Sequence, residues 1–116
     1  IEISKEAIEC ARESVKLNGT ANIDFFAQDA ADYLNTTDRK FEAILVNPPR
    51  RGLNETIIAD ILKFAPKYIY YSSCNAETLA RDSKALSVSY NIQSLQIFDM
   101  FPYTTHFETL MCLQAK

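Results

Sequence analysis

Phe41-Glu42-Ala43-Ile44-Leu45-Val46-Asn47-Pro48-Pro49-Arg50 decides the fold, because a short apolar run ends abruptly in a stiff polar loop. The run is strand-length, and the Pro48-Pro49 pair beyond it biases the preceding backbone toward extended geometry. A second run of the same design covers 68–72 and ends in Ser73-Cys74-Asn75. In an open α/β sheet, ligands bind outside the carboxyl ends of the strands. A cysteine there is a candidate nucleophile rather than a core filler.

Working toward the amino end, Ala30 to Leu34 reads as a short helical stretch and 35–40 as a polar turn. Ile23-Asp24-Phe25-Phe26-Ala27 reads as a strand, with Gln28-Asp29-Ala30 at its carboxyl end. Ile1-Glu2-Ile3 looks like the tail of another strand. Ser4 caps a helix on which Ile8, Ala11, Val15 and Leu17 fall near helical spacing, and Asn18-Gly19 ends it.

Toward the carboxyl end, helices are predicted over 55–64, stopped by Pro66, and over 76–86, capped by Asn75. The first of these carries Ile57, Ile58, Ile61 and Leu62 on one side. Strands over 90–98 and 106–113 follow, joined by Asp99-Met100-Phe101-Pro102-Tyr103. Alternating strands and helices imply an α/β fold with a parallel sheet and helices on its faces. The last two strands have no helix between them, so one is expected to be antiparallel. If that is 106–113, its first residues, His106 and Glu108, stand beside Asn47 and Cys74.

The 116 residues make one small domain, 1–116, with 47% hydrophobic and 23% charged residues, ordinary for a globular protein. With 2 Gly and 4 Pro, no segment reads as linker. No apolar run approaches the roughly 18 residues that span a bilayer, and no signal peptide is visible. Cys10, Cys74 and Cys112 form no CxxC pair, which argues against zinc and against a disulfide framework, and makes a reducing cytoplasm the default setting. The net charge of −3 argues against this chain holding nucleic acid alone. It does not exclude a nucleic-acid substrate held by another part of a longer protein. The first residue is Ile1, not Met, so the chain is expected to be a piece of such a parent.

Three stretches carry a resemblance. Val46-Asn47-Pro48-Pro49-Arg50-Arg51-Gly52-Leu53, then Tyr71-Ser72-Ser73-Cys74-Asn75-Ala76-Glu77-Thr78-Leu79-Ala80-Arg81-Asp82, then Phe98-Asp99-Met100-Phe101-Pro102-Tyr103-Thr104-Thr105-His106-Phe107-Glu108-Thr109 resemble the RNA uracil-C5 methyltransferases. The Asn-Pro-Pro-Arg-Arg-Gly form is most similar to the 23S rRNA 5-methyluridine subgroup. The resemblance implies a Rossmann-like class I methyltransferase sheet, mostly parallel with one antiparallel strand. It implies S-adenosyl-L-methionine as cofactor and an RNA substrate, 23S rRNA before tRNA. It also implies that this chain is the carboxyl-terminal part of the catalytic domain, lacking the first strand and the Gly-rich loop. Neither the family's amino-terminal RNA-binding portion nor the cysteines that hold an iron–sulfur cluster in some members are seen. A sheet without its first strand has unpaired edges. The chain is therefore expected to rearrange, to pair with another copy, or to keep only the strands between 41 and 113. Alone, it is expected to be inactive.

The chemistry explains the residue types. Uracil C5 is a poor nucleophile until a thiolate adds to C6. A base must later take the C5 proton. The thiolate is the reactive form, a free thiol has a pKa of about 8.5, and the helix start at Asn75 favours negative charge. Cys74 is therefore the expected nucleophile; the plain alternative is a small buried hydrophobe. Glu108 is the expected base, against an exposed edge-strand charge. His106 orients Glu108, contacts RNA, or is merely structural; the sequence leaves these open. The resemblance gives Asn47 a contact to cofactor or base, and its amide both donates and accepts. Glu2 is expected to accept from ribose hydroxyls and Asp29 to sit near the adenine, against a solvated charge and a turn-forming Asp. Arg50, Arg51 and Arg81 are candidate phosphate contacts, against solvated surface charges. Two other readings stay open. One is an amino-group methyltransferase using Asn47-Pro48-Pro49, although Arg50 stands where those enzymes usually carry an aromatic residue. The other is a non-catalytic interaction module.

Overall fold

The computed structural model describes residues 1–116. The elements, in chain order, are α1 (Lys5–Leu17), α2 (Ala30–Thr36), β1 (Ala43–Val46), α3 (Glu55–Phe64), β2 (Tyr68–Ser73), α4 (Ala76–Leu86), β3 (Tyr90–Phe98) and β4 (Glu108–Ala115). They fall into two compact units, Ile1–Asp38 and Arg39–Lys116. No helix is long and apolar enough to cross a membrane.

The carboxyl-terminal unit holds the sheet, in the order β1-β2-β4-β3. β1 and β2 are parallel, while β4 runs antiparallel to both β2 and β3. Three strands thus share one direction and β4 opposes them, as expected. The connections through α3 and α4 move the same way across the sheet. Right-handed crossovers then put both helices on one face.

Burial follows that geometry. Ile69, Tyr71, Met111 and Leu113 alternate with more exposed residues and are at most 1% accessible, whereas Leu45 and Tyr70 on the other face are exposed. Ile58 and Ile61 from α3 and Leu79 and Leu86 from α4 complete the core. Each such side chain stabilises the fold by about 1.5–3 kcal/mol. α3 ends where Ala65 turns left-handed (φ 52°) before the buried Pro66. Edge strand β3 leaves Ile92, Leu95 and Ile97 exposed, and its register slips between Ile92 and Ser94.

Three departures from the sequence reading concern where strands begin or whether they form. The strand expected from Phe41 starts at Ala43, because the Phe41 ring stacks on Phe64 at 5.7 Å and Glu42 pairs with Lys67 ahead of the ladder. The strand expected from His106 starts at Glu108. The His106 N–H instead donates to Thr104 Oγ1 at 3.1 Å in the preceding turn.

The third difference lies in the amino-terminal unit. The strands expected over 1–3 and 23–27 reduce to one parallel bridge between Glu2 and Ala27, closed by the Glu2 N–H donating to Phe26 O at 3.1 Å. A strand needs partners along its length, and one bridge supplies none beyond itself. Arg12 donates to Phe25 O at 3.2 Å, and the Phe26 and Tyr33 rings meet at 4.9 Å. The strands of the sheet all lie between 43 and 115.

Candidate active site

Register gathers three of the predicted residues at one edge of the carboxyl-terminal sheet. Val46, the last residue of β1, pairs with Tyr71, so Asn47 follows at the carboxyl end of that strand. Ser73, the last residue of β2, pairs with Thr109, so Cys74 and Glu108 are the next positions on adjacent strands. Adjacent strands lie about 4.8 Å apart, which puts Cys74 and Glu108 on neighbouring columns and Asn47 one column further. Because β4 is antiparallel, its beginning meets the ends of β1 and β2. Asn47 is exposed, and Cys74 and Glu108 are half-buried. His106 lies in the exposed loop that leads into β4.

Local chemistry fixes the cysteine. Ser73 Oγ donates to Asn75 O at 3.0 Å and accepts from Asn75 N at 3.1 Å, which bends the chain around Cys74. Asn75 then caps α4, its Oδ1 accepting from Glu77 N at 3.0 Å and Thr78 N at 3.5 Å. Such a cap is worth about 1 kcal/mol. Across from Ser73, Thr109 Oγ1 is buried with no hydrogen-bond partner, which costs about 1–3 kcal/mol.

The loop carrying Asn47 is held by α4. Asn75 Nδ2 and Thr78 Oγ1 both donate to Arg50 O at 3.1 Å. Arg81 donates to Arg51 O at 2.9 Å and to Leu53 O at 3.0 Å. Asp82, fully buried, accepts from Leu53 N at 2.7 Å, Tyr71 OH at 2.7 Å and Arg81 Nε at 2.8 Å. Burial first, and then this bond to Asp82, pushes the Tyr71 phenol well above its ordinary pKa. Gly52 closes the turn, its N–H donating to Pro49 O at 2.8 Å, with φ at +75°. A Cβ there would sit 2.5 Å from Asp82 Oδ2.

Arg81, expected as a phosphate contact, is therefore occupied within the fold. Asp82 was not foreseen. The available signal was polar Asn75, Thr78, Arg81 and Asp82 at helical spacing along one face, in a chain with only 2 glycines. Glu2 and Asp29 belong to the amino-terminal unit, where each has a local task. Glu2 Oε1 accepts from Ser4 N at 3.0 Å, and Asp29 Oδ1 accepts from Ala31 N at 2.8 Å as the cap of α2.

The α/β fold with its mixed four-stranded sheet is shared with methyltransferases of known structure. An rRNA methylase from Streptococcus thermophilus superimposes over 98% of this chain and 70% of its own with a TM-score of 0.69, and at 10% identity it shows the fold alone. The family described as tRNA (Uracil-5-)-methyltransferase matches residues 1–116, and the chain belongs to that family. The 23S rRNA (uracil(747)-C(5))-methyltransferase of Photorhabdus laumondii is 48% identical over 113 residues, 97% of this chain and 30% of that protein. Its namesake from Yersinia pseudotuberculosis is 47% identical over all 116 residues, 31% of that protein. The Pyrococcus abyssi tRNA (uracil-54, C5)-methyltransferase, solved with S-adenosyl-L-homocysteine, is 32% identical, with a TM-score of 0.78 over 96% of this chain and 27% of its own. The chain thus spans about three tenths of the length of these relatives.

Proposed function

We propose that the parent protein methylates C5 of a uridine in RNA, with Cys74 as nucleophile and Glu108 as base. The observation that carries the reading is the register, with Ser73 opposite Thr109, because it makes Cys74 and Glu108 neighbours at an open edge. Cys74 Sγ, as thiolate, bonds to uracil C6, and the electron pair of the C5=C6 bond moves onto the C4–O4 enolate. S-adenosyl-L-methionine, when bound, supplies an electrophilic methyl for C5. Glu108 then takes the C5 proton, the C6–Sγ bond breaks, and the double bond returns with Cys74 released as thiolate.

Each unit by itself carries polar groups of the kind such a cofactor needs. The Asn47 amide is exposed and makes no hydrogen bond within the chain. In the other unit, Glu2 and Asp29 each use one carboxylate oxygen locally and keep the second for a ribose hydroxyl or an adenine amine. These three are the proposed cofactor residues. Higher identity to the 23S rRNA enzymes than to the tRNA enzyme supports rRNA as substrate. Arg50 and Arg51, whose carbonyls are held by α4, leave exposed side chains for RNA phosphate. The target base has to leave its stack for Cys74 to reach C6.

The test is the parent protein with RNA containing 5-fluorouridine, which cannot lose its C5 substituent as a proton. A denaturation-stable RNA–protein adduct mapped to Cys74, lost in Cys74→Ala, is the expected result. Methyl transfer that continues in Cys74→Ala without an adduct overturns the reading in favour of amino-group transfer. No transfer by either protein leaves a non-catalytic module. The 116-residue chain alone is expected to transfer no methyl group, and its mass in solution reports whether its open edges pair two copies.

A further inference from the structure

We propose that Asp82 is a positioning residue that holds the Asn47 loop against Cys74, an inference that rests on the function proposed above. Asp82 is fully buried and reaches no substrate, but its carboxylate ties together three elements that flank the reacting groups. Through Tyr71 OH it holds β2, three residues before Cys74. Through its own place on α4 it holds the helix that starts two residues after Cys74. Through Leu53 N it holds the far end of the loop that begins at Asn47. Cys74 is therefore pinned on both sides by the group that also closes the loop.

The rest of the helix face repeats the pattern. Asn75, Thr78 and Arg81 present donors to three loop carbonyls, those of Arg50, Arg51 and Leu53. Arg81 also pairs with Asp82 at 2.7 Å, so the guanidinium that grips the loop is itself aimed by Asp82. Gly52 lets the loop come close enough for this, since any Cβ would enter the space of Asp82 Oδ2 and Arg81 NH2. Sub-ångström errors in the placement of reacting groups lower rate steeply, up to about a hundredfold for 1 Å. A device that sets the distance between two strand-end loops therefore acts on turnover more than on RNA affinity.

The experiment compares wild type, Asp82→Asn and Thr78→Val in the parent protein. Three readouts are taken per folded molecule: kcat and KM with RNA, the rate of Cys74 adduct formation with 5-fluorouridine RNA, and the melting curve. Asp82→Asn keeps the shape but sets an amide N–H₂ against the donors of Leu53 and Tyr71 or of Arg81. Its kcat and adduct rate are expected to fall about tenfold to a hundredfold, with KM for RNA within about threefold of wild type. Thr78→Val, which deletes one donor to Arg50 O, is expected to show the same split at about threefold to tenfold. A folded Asp82→Asn that reacts at the wild-type rate overturns the proposal. If Asp82→Asn is unfolded at the assay temperature, Thr78→Val decides, and an unchanged adduct rate in it is equally fatal. A wild type that forms no adduct strikes the proposed function instead, so the two failures are separable.

Discussion

Two loops leave the same edge of the sheet and are held in opposite ways. Residues 47–53 are gripped by the cap residue Asn75 and by three side chains of α4, all acting on main-chain atoms. Residues 99–107, which join β3 to β4, make only local bonds: Met100 N to Phe98 O at 3.1 Å, Thr104 N and Thr104 Oγ1 to Phe101 O at 3.2 and 2.7 Å, and His106 N to Thr104 Oγ1. Residues 99–106 are exposed throughout, with Tyr103 wholly accessible and at φ 66°. The difference teaches a division of labour: a fixed loop sets distances, and a loosely held one presents Met100, Phe101 and Tyr103 to whatever approaches. Segments with few buried contacts are the ones that open at low free energy.

The comparison breaks first if the proposed reaction does not occur at this edge of the sheet. Glu108→Gln in the parent protein is expected to lower turnover by about 10²–10⁴ and to let the Cys74 adduct accumulate on ordinary uridine RNA, visible as a gel-stable complex. Gly52→Ala attacks the fixed loop itself. The forced shift at Asp82 and the left-handed φ together are expected to remove about 1–3 kcal/mol of stability, read as a lower denaturant midpoint.

Tyr71→Phe probes the same network more gently and is expected to remove about 1 kcal/mol at neutral pH. Its sharper signature is in alkali. The folded-state pKa of Tyr71 is raised, so its contribution is complete below the unfolded value of about 10 and is lost as pH rises through the folded one. Wild-type stability is expected to fall above pH of about 10, and Tyr71→Phe to flatten that fall in pH-dependent urea titrations. Tyr103→Gly sharpens the other side of the contrast. It removes an exposed side chain from a left-handed position, and stability is expected to stay within about 0.5 kcal/mol of wild type while RNA affinity drops.

Much of this was legible in the sequence. Continuous apolar runs marked β1 and β2, the Ser4 and Asn75 caps marked α1 and α4, and Pro66 with four apolar residues on one side marked α3, while the missing helix between the last two strands announced that one of them is reversed; it is β4, which brings Glu108 to Cys74. Residues 23–27 were misread because apolar composition reports a wish for burial, while a ladder also needs a neighbour at every step. Asp82 stayed hidden for a related reason. A charge on an amphipathic helix looks like solvated surface until the chain returns 29 residues away with Leu53 N–H to meet it.

The grip on residues 50–53 has an evolutionary consequence. It is made almost wholly on carbonyls and one N–H, which every residue type except proline carries alike. Substitution at position 50 or 51 can then change the charge offered to a substrate while the loop keeps its place. The chain can thus explore new partners at those two sites without renegotiating its architecture, while position 52, closed to any Cβ, and the buried Leu53 are denied that freedom.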